Sequence, residues 1–511
     1  MKTEKKIRKW LGLLSLMPAM AMVFTDQTVL PVALPTIQEH FQASHTEVWW
    51  CINSYLLISA ILLLAGGKYG DRIGQRKAYI IGIVVFALAS LLCSTSTTVL
   101  FLILARGLQG VGAALLIPAS TPLIMSLFPK HLRGRATGIN VSLSALFLIF
   151  APLIGGYFTQ VLSWRWIFWI NLPLAILSIC LTLLFVPISP KRPQTFDVKS
   201  FLFFILSSSS LIILVMQQSS WGWLSIKTYL TLFLFLISSL FFVLREKRAK
   251  DPFIDLTLFR HSIYKAVNIS VFATQFVLMV TVYRAVFCQN ALNWTPLESG
   301  FIFFTTSLPI LFVAPIAGWL ADRLGSKAPI SIGFLSLIFS FFWLAFFVNE
   351  GTGMLIIGFL GFSFGVPCIF TPSYTSSMNV IPPEKAGYAA GMLATTRALG
   401  ATLGVAVMTS LEFFFRQRTF DALVQNDNKI APLSSAFWDN FSNNIQSLKE
   451  TVIAKDWPSV LSYWQEAEIR SFTLLHLTLG FCLIVAFAVV FNFYHRKASH
   501  HLPKMPAEGW D

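Results

Sequence analysis

An all-α membrane protein of fourteen spanning helices, built as two related six-helix bundles with two further helices inserted between them, is the fold this sequence predicts. Three observations carry the prediction. The 511-residue chain is 55% apolar and only 12% charged, about half the charged share of a soluble domain. Fourteen apolar segments follow one another along it, near residues 10–35, 48–67, 78–95, 99–125, 136–160, 166–187, 200–220, 226–244, 263–288, 298–321, 330–347, 353–378, 388–413 and 469–494, each long enough for a bilayer crossing. The third observation is an internal repeat in the loops.

Composition excludes whole classes of function. A soluble enzyme, a disordered tail protein and a nucleic-acid binder all need more polar surface than this chain offers. The formal charge of +15 and the pI near 9.6 do not indicate a polyanion partner, because basic residues of membrane proteins collect in cytoplasmic loops and set orientation. With the N-terminus inside, 27 of the 38 Lys and Arg residues fall in the short inner segments, and the short outer loops hold only Arg165 and Lys227. Both termini are therefore expected in the cytoplasm. The run after MKTEKKIRKW imitates a signal peptide but extends from Trp10 to about Pro35, too long for a cleaved hydrophobic region, and reads as a retained first helix. Six single cysteines show no CxxC pair and no metal-like spacing with His, so they read as small packing residues and no metal is expected.

The repeat fixes the organisation. Residues 67–77 read GKYGDRIGQRK and residues 318–328 read GWLADRLGSKA, an offset of 251; residues 132–138 and 385–391 share Gly, Ala and Gly at an offset of 253. Such duplication marks carriers whose two halves rock about a central site. The offset spans eight segments where a doubled six-helix bundle needs six. The expected parts are a tail at 1–9, a first bundle at 10–187, two inserted helices at 200–244, a second bundle at 263–494 with a long outer loop at 414–468, and a tail at 495–511.

Several motifs extend the picture: TDQTVLPVALPTI at 25–37, GKYGDRIGQRK at 67–77, RGLQGVGAA at 106–114, SWRWIFWINLP at 163–173, FDVK at 196–199 and PFIDLTLFR at 252–260. Together they resemble the major facilitator superfamily, and within it the fourteen-helix drug:proton antiporters of the EmrB/QacA type. The resemblance implies a carrier of a small amphipathic substrate and protons in a bacterial inner membrane, with no cofactor and no nucleic acid. A periplasmic membrane-fusion partner docking on the long outer loop is a further expectation. One departure stands out: the family's fifth-helix glycine pattern keeps Gly138, Pro152 and Gly155, but Phe147 and Ala151 replace two intervening glycines.

Ionisable residues inside spans are costly, so each is read as functional by default. Asp26 is the one acid deep in a segment and the natural proton carrier; Arg106 is its natural counter-ion, and the resemblance assigns the arginine at that place to proton coupling. A fixed structural Asp26–Arg106 pair is the competing reading. Gln109, Arg284 and Arg397 join Asp26 as candidates for the substrate cavity. Three buried guanidiniums against one carboxylate favour a substrate with negative charge, unless Arg284 snorkels to the outer headgroups. Glu298, Glu412 and His476 read as solvated helix-end residues.

The inner loops carry the gating candidates. Gly67 and Gly74 permit tight packing and a turn. By resemblance, Asp71, Arg72 and Arg76 tie the inner ends of the first bundle to its partner, with Arg133 and Arg135 as partners and Asp322 and Arg323 as their repeat counterparts. Gly138, Pro152 and Gly155 shape the fifth helix. Anchoring at lipid headgroups is the alternative for the basic residues. Three functions are compatible with these features: a proton-coupled exporter of amphipathic molecules, a dedicated transporter of an anionic metabolite such as a siderophore, and, remotely, a polytopic membrane enzyme.

Overall fold

The computed structural model describes residues 2–191, 197–222, 224–248, 259, 261–380, 386–425 and 457–495, and every regular element among them is helical. In chain order these are α1 (Lys2–Phe41), α2 (His45–Ile73), α3 (Gln75–Ser94), α4 (Val99–Leu127), α5 (Lys130–Tyr157, continued by a π-helical turn at Phe158–Leu162), α6 (Trp166–Trp169), α7 (Asn171–Phe185), α8 (Val198–Trp221), α9 (Ile226–Glu246), α10 (Ser262–Leu278), α11 (Val280–Asn290), α12 (Pro296–Ser307), α13 (Pro309–Leu324), α14 (Lys327–Phe347), α15 (Thr352–Val380), α16 (Ala386–Val424) and α17 (Trp457–His495). The pairs α6–α7, α10–α11 and α12–α13 each make one span, which leaves fourteen crossings. Thirteen are long and apolar enough to cross a bilayer, and the remaining one, α5, carries its apolar stretch at Leu146–Leu162.

Local chemistry sets the ends. Ser44 and Thr295 each form a capping box with the glutamate three residues on, Glu47 and Glu298, satisfying the first free amides of α2 and α12. Gly74 ends α2 at φ 97° and Gly325 ends α13 at φ 75°, a region that favours glycine. These two positions are 251 apart, so the repeated loops share one backbone turn.

The repeat is also legible in packing. Among the described residues, α4 lies against both α2 and α3, and α14 packs along α15. A Cβ on Gly82 would stand 2.9 Å from the carbonyl oxygen of Gly112, where α3 crosses α4, and a Cβ on Gly333 would stand 2.8 Å from that of Gly365, where α14 crosses α15. The offsets are again 251 and 253. Small residues let backbones meet without lipid between them, and here they lock the same crossing into both halves. Gly67, by contrast, lies inside α2, where a Cβ would make ordinary contact with Pro118; the close approach belongs to Gly66, against the Ala114 carbonyl.

The inserted helices α8 and α9 pair with each other, and α8 also packs on α2 and α16. Asp197 staples this hairpin at its base. Its carboxylate accepts from the Ser200 and Lys199 amides at the start of α8 and meets Arg245 at the end of α9, with Nε 3.0 Å from Oδ2. Partial burial opposes ionisation there, yet the bonds from Arg245 and Ser200 hold its carboxyl below the usual range. That contact gives FDVK a physical role through its aspartate. The ends α16 and α17 reach farther than their apolar segments, so part of the stretch expected as outer loop is helical.

Below, inner denotes the side of the Lys/Arg-rich loops and outer the opposite side. The halves meet closely at the outer end, where α5 crosses α12: a Cβ on Gly156 would run into the Pro296 carbonyl oxygen, and one on Gly300 into that of Pro152. Pro152 thus contributes its carbonyl face to the crossing. Replacing Gly300 with Val is expected to push α5 and α12 apart, costing about 1–3 kcal/mol of stability. Thermal melting in detergent and labelling of a single cysteine introduced at Leu297 check this; unchanged melting together with unchanged labelling would show that the crossing does not hold the outer ends together.

Candidate functional site

The polar network of the first half is assembled by α1, α2, α3, α4 and α7. Arg106 is the eighth residue of α4, where a guanidinium in an apolar span must find acceptors inside the protein. Its Nη1 donates to both oxygens of Asp26, at 2.7 and 2.6 Å, and to Gln109 Oε1 at 2.6 Å; its Nε donates to the Cys51 carbonyl of α2 at 2.9 Å. The Gln109 amide donates onward to Asp26 at 3.2 Å and to Ser90 at 3.0 Å, and Asn171 donates to the same Ser90 hydroxyl. Tyr55 stacks on the guanidinium at 4.6 Å. Asp26 and Arg106 are 2% and 1% exposed. The structure therefore brings together Asp26, Arg106 and Gln109. The glycines of the same motif serve packing, since Gly110 lies against the Tyr55 backbone and Gly112 against that of Phe86.

Of the two positions open to Arg284, the structure shows the buried one. It does not reach the outer headgroups: it is 1% exposed, enclosed among α11, α14, α15 and α17. Its Nε donates to His476 Nε2 at 3.0 Å, and the rings of Phe362, Phe341 and Phe359 lie 4.6, 5.1 and 5.4 Å from its Cζ. Among the described residues its Nη2 has no hydrogen-bond partner. Arg397 sits elsewhere in the second half, donating to Gln275 at 2.9 Å with Phe370 beside it.

A third cluster was not legible as one. Glu412 and His476, expected as solvated end residues, are both buried, whereas Glu298 is exposed in its capping box. The reason is that α16 and α17 continue past their apolar segments, turning apparent ends into interior. Arg416 Nη1 lies 2.7 Å from Glu412 and 2.7 Å from Glu468, and His45 of α2 reaches Glu412 at 3.0 Å. Trp464 stacks on Arg416 at 4.6 Å. This cluster joins the first half to the second at the outer end. A helix-spaced Glu412–Arg416 pair was the available signal, hidden because the assumed loop began between them, at 414.

At the inner end Arg76 does not cross to the second half. Its Nη2 donates to the Leu183 carbonyl at 2.7 Å, capping the C-terminus of α7, where unpaired carbonyls attract a cation. Asp71 accepts from Gln75 Nε2 at 2.7 Å, Arg72 is exposed, and the exposed Arg323 stacks on Trp319 at 4.5 Å. The side chains of Arg133, Arg135 and Asp322, the surroundings of Gly138 in α5, and residues 426–456 of the outer loop expected at 414–468 to dock a periplasmic partner lie outside what the structure describes. Among the described residues no group of His, Cys, Asp or Glu is arranged to hold a metal ion.

Three comparisons bear on this architecture. Residues 16–405 match the family model of the Major Facilitator Superfamily. The chain is 32% identical over 394 residues to the multidrug resistance protein Stp of Mycobacterium tuberculosis, covering 76% of this chain and 73% of that protein. It is 29% identical over 437 residues to the riboflavin transporter RibZ of Clostridioides difficile, covering 84% and 94%. Among solved structures, the inward-facing, unoccupied form of a bacterial homologue of the lysosomal transporter Spinster superposes with a TM-score of 0.67 at 15% identity, over 96% of this chain and 97% of that one.

Removing Arg416 leaves two buried carboxylates without their guanidinium. Arg416→Met is therefore expected to cost about 3–5 kcal/mol, and Arg416→Met combined with Glu412→Gln and Glu468→Gln to recover most of it. Unfolding in detergent measures both. A triple variant no more stable than the single one would show that packing, not charge, makes the cluster matter.

Proposed function

Because the chain belongs to the Major Facilitator Superfamily, we propose that it is a proton-coupled exporter of amphipathic small molecules, of the fourteen-helix drug:proton antiporter branch. In this reading it works by alternating access in a bacterial inner membrane, with both termini in the cytoplasm. The multidrug resistance relative supports the substrate class. The family and its named relatives are transporters, which argues against an enzymatic role.

One observation carries the coupling: a carboxylate inside a span whose two oxygens are held by a single guanidinium nitrogen. Protonating Asp26 removes its charge and so most of its attraction for Arg106. Arg106 does not then stand alone, because the Cys51 carbonyl and Gln109 still accept from it. The network can thus exist with α1 bound to α4 by charge or released from it, and the second state costs less than a naked buried cation would. A proton taken from the outer side and delivered inward supplies the driving force. Gln109 and Ser90 orient the carboxylate between these states. The outer cluster at Glu412 and the α5–α12 crossing are the contacts that must part for outward opening.

Asp26→Asn keeps the shape and removes the charge. It is expected to abolish substrate accumulation driven by a pH gradient in inverted vesicles while leaving expression and equilibrium substrate binding within about twofold. Accumulation persisting at the unmodified rate would place proton binding elsewhere.

A further inference from the structure

The offsets that align the two halves also align their buried sites. Adding 251 to Ser90 reaches Phe341, and adding 253 to Arg106 and Gln109 reaches Phe359 and Phe362. The Gly82–Gly112 and Gly333–Gly365 crossings fix these registers independently of the side chains concerned. The polar walls that hold Asp26 in the first half are therefore replaced in the second by three phenylalanines, and the charge enclosed by them is the guanidinium of Arg284. From this juxtaposition we infer that Arg284 and His476 form an anion site in the second half, taking the carboxylate of an aromatic or apolar monoanion.

Charge and hydrogen bonding define the ligand. His476 Nδ1 faces the Phe472 carbonyl at 2.8 Å, and only an N–H can donate there. Its Nε2 is then the acceptor for Arg284 Nε, and the imidazole is neutral. No carboxylate pairs with Arg284 among the described residues, so the cluster carries one uncompensated positive charge. Nη2, buried and without a partner, is a donor left for an oxygen of the ligand. A carboxylate suits the planar fork of a guanidinium. The three rings offer apolar and π surface to the scaffold that bears it, and they disfavour a hydrated inorganic anion. A cationic drug would meet like charge here. The inference deepens the exporter reading by naming a substrate class, but its binding test does not depend on proton coupling.

The test uses the purified full-length protein in detergent, without a gradient, and three probes of one shape: 2-naphthoate, 2-naphthamide and 2-naphthylmethylammonium, followed by calorimetry. Charge-assisted bonds to the fork should make naphthoate bind about tenfold to a hundredfold more tightly than the amide, with the ammonium weakest. Arg284→Gln should abolish that preference, and Arg284→Lys should keep part of it. Equal binding of the three probes, or a preference unchanged in Arg284→Gln, would falsify the site and leave Arg284 as a cation held by phenylalanines and water. If Arg284→Gln does not fold, Phe362→Trp with wild-type Arg284 serves instead: enlarging the wall should weaken both naphthoate and naphthamide. Selective binding without gradient-driven transport would overturn the exporter reading and leave this site standing.

Discussion

A charge drawn into an apolar span must be answered by another group from within the protein, and the first half of this molecule is organised around one such answer. Arg106 takes Asp26 from α1, a backbone carbonyl from α2 and Gln109 from its own helix, while Gln109 passes the network to Ser90 on α3 and thence to Asn171 on α7. Five helices are thus referenced to one guanidinium. The glycines at 110 and 112 keep the helices near enough for these bonds to form. Packing and polarity depend on each other here: with larger residues at those crossings the network would be stretched, and without the network the crossings would enclose an unpaired charge.

The same rule makes the second half unusual. Its aligned positions are aromatic, and its enclosed charge has a neutral imidazole and ring faces for company. Cation–π contacts offset part of the desolvation of a guanidinium but do not neutralise it. The halves therefore share backbone architecture and differ in how the enclosed charge is answered: Arg106 has Asp26 as its counter-ion, whereas among the described residues no carboxylate pairs with Arg284.

Much of this was legible in the sequence, for reasons that also mark where it stopped. Span number, the inserted pair and the repeat follow from hydropathy and loop spelling, because the bilayer penalises any other arrangement of so apolar a chain. Asp26 and Arg106 stood out because ionisable residues are rare in spans. Glu412 and His476 did not, since a window of bilayer length ends a helix where the lipid ends, whereas α16 runs on to Val424 and α17 starts as early as Trp457. For Arg284 the sequence left a buried and a snorkelling position both open, because its company comes from α14, α15 and α17, remote in sequence. The repeat offset held that information, but only packed backbones show which positions correspond. Gly66 and Gly67 differ in the same way: adjacent letters, and only one faces a neighbouring carbonyl.

The inserted hairpin has a mechanical consequence. Adjacent residues of α8 are bound to opposite halves: the Val215 carbonyl accepts from Ser410 of α16, and the Met216 sulfur accepts from Asn53 of α2. One short stretch of the hairpin thus touches both halves of the molecule. Two levers pinned to neighbouring points on a shared bar move least relative to each other at the pin and most at their far tips. In the alternating-access reading, the hairpin, with much of α9 exposed, is placed as an axle bearing with the surrounding lipid as its housing.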